Sequence, residues 1–105
     1  MGSFFYKLKW KLPFFLKKEK RIRAFREQEM EFLIYWMSIL DKNLNDALGK
    51  KKISMHDCLR IQNKLKLIDD ILNNDFSDNF PRKNEAKDML IILYDKIHDV
   101  LSYAS

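Results

Sequence analysis

The residue types that most often carry catalysis or bind metals are few in this chain of 105 residues, which has one cysteine and two histidines. His56 and Cys58 are two positions apart, so on a helix their side chains diverge by about 200° and cannot act together as base and nucleophile. His98 lies beside Asp99, but no third ligand is near it in the sequence. These residues predict no catalytic site and no metal centre.

A polar segment near the middle of the chain partly matches the spacing of a calcium-binding loop. Oxygen-bearing side chains alternate along it at Asn73, Asp75, Ser77 and Asn79. The sixth position of that pattern requires glycine and has Asp78, and the twelfth requires glutamate and has Asn84. The segment therefore predicts a capped loop, and we expect a protein with no cofactor and no enzymatic activity.

The composition favours long helices as the elements that position every side chain of interest. Two glycines and two prolines are far below ordinary usage, so turns are few. One small domain fits the length. We expect an all-α, antiparallel up-down-up bundle with three core helices, at about 27–48 (or from Pro13), 54–73 and 81–103.

Apolar residues repeat every three or four positions in each predicted helix. The first stripe comprises Ile22, Phe25, Leu33, Trp36, Leu40, Leu44 and Ala47; the second Cys58, Ile61, Leu65, Ile68 and Leu72; the third Ala86, Leu90, Leu93, Ile97 and Val100. Gly49 is the expected C′ residue of the first helix, and Ser54 the N-cap of the second. Asp78 or Asn79 is the expected cap of the third, with Pro81 in its first turn.

The composition of residues 1–26 differs from that of the rest of the chain. This segment contains nine basic residues and one acid, a net charge of +8, whereas positions 27–105 carry −3. It also contains seven of the fourteen aromatic residues. We treat residues 1–26 as a basic aromatic arm or fourth helix, and residues 27–105 as the bundle.

A cationic segment rich in aromatic residues is typical of proteins that bind anionic membrane surfaces. The sequence therefore predicts a non-enzymatic interaction protein whose N-terminal segment docks on such a surface or on a membrane-associated partner. The predicted contact residues are Phe4, Phe5, Lys7, Lys9, Trp10, Lys11, Phe14, Phe15, Lys17, Lys18 and Arg21.

Two other functions remain open. The first helix is apolar over a broad arc, so the face around Phe32, Tyr35, Trp36 and Ile39 is a candidate interface with a second copy or another protein. In that case the basic segment could meet acids on the last helix, at Glu85, Asp88, Asp95 and Asp99. Nucleic-acid binding through the same basic residues is a less favoured alternative, since no helix-turn-helix spacing or zinc-ligand set is present.

The longest dense apolar stretch runs from Phe32 to Leu40, well short of the ~18 residues that a membrane-spanning helix needs. A single cysteine excludes an intramolecular disulfide. We therefore expect a cytoplasmic protein that attaches peripherally to the membrane. No motif in the sequence identifies a protein family.

Overall fold

The fold is all-α, as predicted. The computed structural model describes the backbone of residues 2–105 and the side chains of residues 23–105. Within those residues it has three helices: α1 (Gly2–Lys50), α2 (Met55–Asp75) and α3 (Lys83–Leu101). The N-terminal segment is the beginning of α1 and not a separate fourth helix.

The three helices form the predicted up-down-up bundle, in which α3 packs against both α1 and α2. Arg26 near the start of the bundle lies 3.7 Å from Asp75 at the end of α2, and Ala47 near the end of α1 lines a groove with Ile61 near the start of α2, so these two helices are antiparallel. Lys96 of α3 pairs with Asp41 of α1, and Arg82 at the start of α3 lines a groove with Glu27. Thus α1 and α3 run in the same direction.

The stripes predicted for α2 and α3 form the core. All ten of their residues are buried. The stripe predicted for α1 is partly wrong: Phe25 is 62% exposed and Trp36 is only half-buried, whereas Met30 and Met37 are buried in their place. Leu33, Leu40, Leu44 and Ala47 are buried as predicted. Between Phe25 and Met37 the core face of α1 is therefore rotated by about one position from the predicted face, while Ile22 lies outside the described side chains.

The prediction that Gly49 terminates α1 is wrong, because the left-handed residue is Lys51, with φ of 53°. The amide of Lys51 donates to the carbonyl of Leu48 and that of Lys52 to the carbonyl of Ala47, each at 3.3 Å. These two bonds form a Schellman motif with Lys51 at C′. Gly49 is a helical residue with nothing within 4 Å of where its Cβ would lie.

The Gly49→Ala variant should therefore be more stable than the wild type. Alanine loses less backbone entropy in a helix, so we expect a gain of about 0.5–1 kcal/mol in the free energy of unfolding. Lys51→Gly should also raise the free energy of unfolding, since glycine adopts the left-handed conformation without the steric cost that a Cβ atom brings. Chemical denaturation measures both. A destabilised Gly49→Ala protein would mean that position 49, and not 51, adopts the left-handed conformation.

The N-cap of α2 is as predicted, but that of α3 is not. Ser54 Oγ accepts a hydrogen bond from the amide of Asp57 at 3.1 Å. In contrast, α3 begins after Arg82, which is left-handed with φ of 68° and caps no amide with its side chain. Neither Asp78 nor Asn79 caps the helix, and Pro81 lies in the turn before it.

The loop between α2 and α3 is held by a buried lysine. Lys83 Nζ donates to the carbonyl oxygen of Phe76 at 2.7 Å and lies 3.2 Å from Asp78 Oδ1. Its side chain is only 3% exposed. Phe76 is itself buried and packs edge-on against Phe80, with ring centroids 4.8 Å apart. The lysine thus ties the first turn of α3 to the loop that precedes it.

At the other end of the bundle the segment after α3 pairs with the segment before α2. Ile53 and Ala104 form an isolated parallel bridge. The amide of Ser105 donates to the carbonyl of Ile53 at 3.2 Å, and the amide of Met55 donates to the backbone oxygen of Ser105 at 3.1 Å. The second bond satisfies an amide in the first turn of α2 that has no partner within the helix.

Candidate functional site

The predicted membrane-contact side chains lie outside the described side chains, and only the inclusion of their backbone in α1 is known. This applies to Phe4, Phe5, Lys7, Lys9, Trp10, Lys11, Phe14, Phe15, Lys17, Lys18 and Arg21. The last part of the segment is described. Arg23 is 76% exposed beside Glu27, Phe25 is exposed, and Arg26 bonds Glu29 at 2.8 Å.

The predicted oligomer interface is an exposed surface of α1. Phe32 is 60% exposed, Tyr35 63% and Ile39 41%, while Trp36 is half-buried with its ring centroid 6.0 Å from that of Phe32. Phe25, which sequence reasoning assigned to the core, lies on the same side of the helix, seven positions before Phe32. We call these five residues the aromatic face. It remains uncovered by the described part of the chain.

Apolar side chains of α2 extend the aromatic face. The register of the two helices is set by the Arg26–Asp75 pair at one end and by a groove that Ala47 and Ile61 both line at the other. By this register, Leu67 and Ile71 fall opposite the middle of the aromatic face, on the side of α2 from which Asp57 and Arg60 line the groove with α1. Leu67 is 50% exposed and Ile71 is half-buried. Single exposed leucines are common, but a continuous apolar surface across two helices is typical of an interface.

The acidic residues predicted to share a face of α3 are all exposed; they are Glu85, Asp88, Asp95 and Asp99. Arg82 donates to Glu85 at 3.0 Å, and this hydrogen bond lowers the pKa of that carboxyl and raises the pKa of the guanidinium. The small contribution of a lowered carboxyl pKa to stability is present above its unfolded value and is lost as pH falls through the folded value. The face is a source of negative potential.

A shallow groove of about 250 Å³ separates α1 from α3. Met37, Met89 and Leu93 line it, and the Asp41–Lys96 pair lies at its side. Both charges of that pair are partly exposed, so the pair stabilises the packing of α1 on α3 only modestly. Ser38 also lines the groove, and its hydroxyl donates a hydrogen bond to the carbonyl oxygen of Tyr35 at 2.7 Å.

Cys58 and His56 do not share a site, because one side chain lies in the core and the other is in solvent. Cys58 is fully buried in the core, and burial raises the pKa of its thiol. His56 is 87% exposed. Burial, with added repulsion from Asp69 and Asp70, raises the pKa of Tyr94. Among residues whose side chains are described, no three histidine, cysteine or carboxylate groups are close enough to bind one metal ion.

Comparison with known proteins gives no relative: no protein-family model, no curated protein and no solved structure matches the chain. In the part of the chain that the structure describes, no helix has both the length and the apolar character to cross a bilayer.

Proposed function

We propose that the protein is a non-enzymatic interaction module that binds the surface of an anionic membrane through the basic aromatic first part of α1. The observation that carries this proposal is the segregation of charge along the chain. Residues 1–26 carry a net charge of +8, and positions 27–105 carry −3. Since α1 begins at Gly2, the positive charge and half of the aromatic residues belong to the N-terminal half of a long helix.

The described end of the segment supports this function. Arg23 and Phe25 are exposed, and buried side chains among the described residues begin only at Met30. A basic, aromatic-rich helix binds at the headgroup boundary because its rings enter the interface while each nearby cation adds about 1 kcal/mol. The exposed acids of α3 would favour an orientation with that helix turned away from the lipid.

Replacing Lys7, Lys9 and Lys11 together by glutamine should weaken binding to vesicles of phosphatidylserine and phosphatidylcholine roughly 100-fold, as expected from about 3 kcal/mol of lost attraction. Co-sedimentation at low salt measures it. The matched control replaces the exposed Lys50, Lys51 and Lys52, which removes the same charge at the other end of α1 and should change binding little. An equal loss in both variants, or no binding of the wild type, would contradict the proposal.

A second readout separates membrane insertion from simple charge attraction. In the Trp36→Phe protein Trp10 is the only tryptophan. Its emission should shift to shorter wavelength with the anionic vesicles and stay unchanged with vesicles of phosphatidylcholine alone. Emission that is already blue-shifted without lipid, and indifferent to it, would place Trp10 against protein.

The second candidate function is an oligomerising interaction module. The exposure of Phe32, Tyr35 and Ile39 favours it, because the described part of the chain leaves these apolar residues without a covering element. Burial of such a face against another protein surface would contribute about 25 cal/mol for each Å² of apolar area removed from water. The partner in this case is a second copy of the chain or another protein.

A further inference from the structure

We infer that the partner of the aromatic face is a second copy of this chain, paired through an antiparallel contact between the two α1 helices. This inference rests on the second proposed function and names its partner. One stripe of α1 consists of described residues that are all exposed or half-buried: Phe25, Glu29, Phe32, Trp36, Ile39 and Asn43. Their alternating spacing of four and three positions is that of a coiled-coil seam next to the bundle core.

The same spacing continues without interruption toward the start of the chain. Stepping back from Phe25 by three and four positions in turn gives Ile22, Lys18, Phe15, Lys11, Leu8 and Phe4. Because α1 is one helix from Gly2 to Lys50, these positions belong to the same seam. Eight of the eleven positions from Phe4 to Ile39 are apolar.

The sequence of this seam is complementary to itself in the antiparallel direction. With the two-fold axis between Ile22 and Phe25, Phe32 lies opposite Phe15 of the second copy and Ile39 opposite Leu8. The one acid of the seam, Glu29, then lies opposite Lys18 of the second copy. Lys11 of the second copy falls opposite Trp36, where its ammonium group can make a favourable cation–π contact with the indole ring.

A parallel arrangement would be electrostatically unfavourable. It would place Lys11 and Lys18 opposite their own copies and Glu29 opposite Glu29. It would also set the two +8 segments side by side, whereas the antiparallel arrangement sets each beside the −3 bundle of the other chain. Charge therefore selects the antiparallel orientation.

The lengths of the elements also fit this arrangement. Positions 2–22 of α1 form a helical stretch about 31 Å long at about 1.5 Å per residue, which matches the 21 residues of α2 and the 19 of α3. The N-terminal segment of one chain thus spans the bundle of the other. It would lie between the aromatic face of α1 and Leu67 of α2, as a fourth helix.

The contact is large enough for a stable dimer. The seam from Phe4 to Asn43 extends about 60 Å, and a strip about 10 Å wide on each helix buries on the order of 1200 Å² in total. Specific interfaces bury at least about 1000 Å². Glu29 is 22% exposed and already holds Arg26 at 2.8 Å, so Lys18 of the second copy would join an existing ion pair.

Charge reversal in trans tests the register. Glu29→Lys alone and Lys18→Glu alone each place like charges opposite one another twice in a homodimer, so each should self-associate roughly tenfold more weakly than the wild type. A mixture of the two variants pairs opposite charges at both places. It should form a heterodimer about as tightly as the wild type forms a homodimer, as measured by analytical ultracentrifugation of the full chain.

The existence of the dimer is tested separately from its register. Phe32→Glu should sediment as a 12.7 kDa monomer, whereas Ile91→Glu, which alters an equally exposed residue of α3, should remain a dimer. A wild type that is monomeric at high micromolar concentration would overturn both the oligomerising function and this inference. Self-association that Phe32→Glu abolishes, without recovery in the charge-reversal mixture, would leave the oligomerising function in place and overturn the register.

Discussion

The free energy of unfolding of the Leu65→Ala variant should be about 3 kcal/mol lower than that of the wild type. Leu65 is fully buried at the middle of α2, among core side chains from all three helices. Truncation loses the transfer free energy of three carbon atoms and leaves a cavity that well-packed helices close only in part. A domain of this size has a total stability of about 5–15 kcal/mol, so the change would remove a large fraction of it.

Leu59→Ala is the matched control for this prediction. Leu59 lies on the same helix and is 49% exposed, so the same truncation should cost less than about 1 kcal/mol. The shift of each denaturation midpoint, at an unchanged dependence of the free energy of unfolding on denaturant, measures the two losses of stability. Equal losses at the two positions would contradict the assignment of Leu65 to the core.

The Lys83→Met variant should lose about 2 kcal/mol of stability, the contribution of one charge-assisted hydrogen bond. Methionine keeps the apolar stem but removes the donor to the carbonyl oxygen of Phe76, which lies at 2.7 Å in the wild type. A hydrogen bond from a charged donor contributes about 1.5–3 kcal/mol, and a buried acceptor left without a partner adds its desolvation cost. Relief from burying the ammonium group opposes this loss, but Asp78 and the carbonyl already offset most of that burial cost.

The exposed Lys66 gives the control for Lys83, since Lys66→Met removes one positive charge from α2 without removing a buried hydrogen bond. We expect a change of less than about 0.5 kcal/mol there. Guanidinium denaturation of the two variants measures the difference. A Lys83→Met protein as stable as the wild type would mean that desolvation of the ammonium group costs as much as its two contacts contribute.

The regular elements were predictable where one apolar face is clearly bounded by polar residues. The stripes of α2 and α3 have a single phase, and every residue in them is buried. In α1 two apolar stripes overlap, so periodicity alone could not decide whether Met37 or Trp36 faces the core. Packing decided it: Met37 is fully buried and Trp36 is not.

Lys83 shows why a pattern of residue types missed part of the core. It lies three positions before Ala86, so it continues the stripe of α3 by one more step. A charged residue is seldom buried without a partner, and its partner here is a backbone carbonyl that sequence does not reveal. The left-handed Lys51 and Arg82 were missed for the same reason, because their conformations depend on how neighbouring helices meet.

The candidate surfaces were predictable in composition but not in extent. The exposure of Phe32, Tyr35 and Ile39 was expected from the width of the apolar arc on the first helix. The addition of Phe25 and Leu67 depended on the rotation of α1 and on the antiparallel register with α2. Both proposals use the N-terminal part of α1, so binding to lipid and pairing with a second copy would exclude one another.

The pairing of Ile53 with Ala104 has a kinetic consequence. These residues bracket α2 and α3, so their bridge closes half of the chain into a ring. The entropic cost of closing a loop rises with its length, and a ring of this size closes readily only after the hairpin of α2 and α3 has brought its ends together. Folding would then proceed from the hairpin to the ring, and the bridge would be among the last parts to form and the first to open.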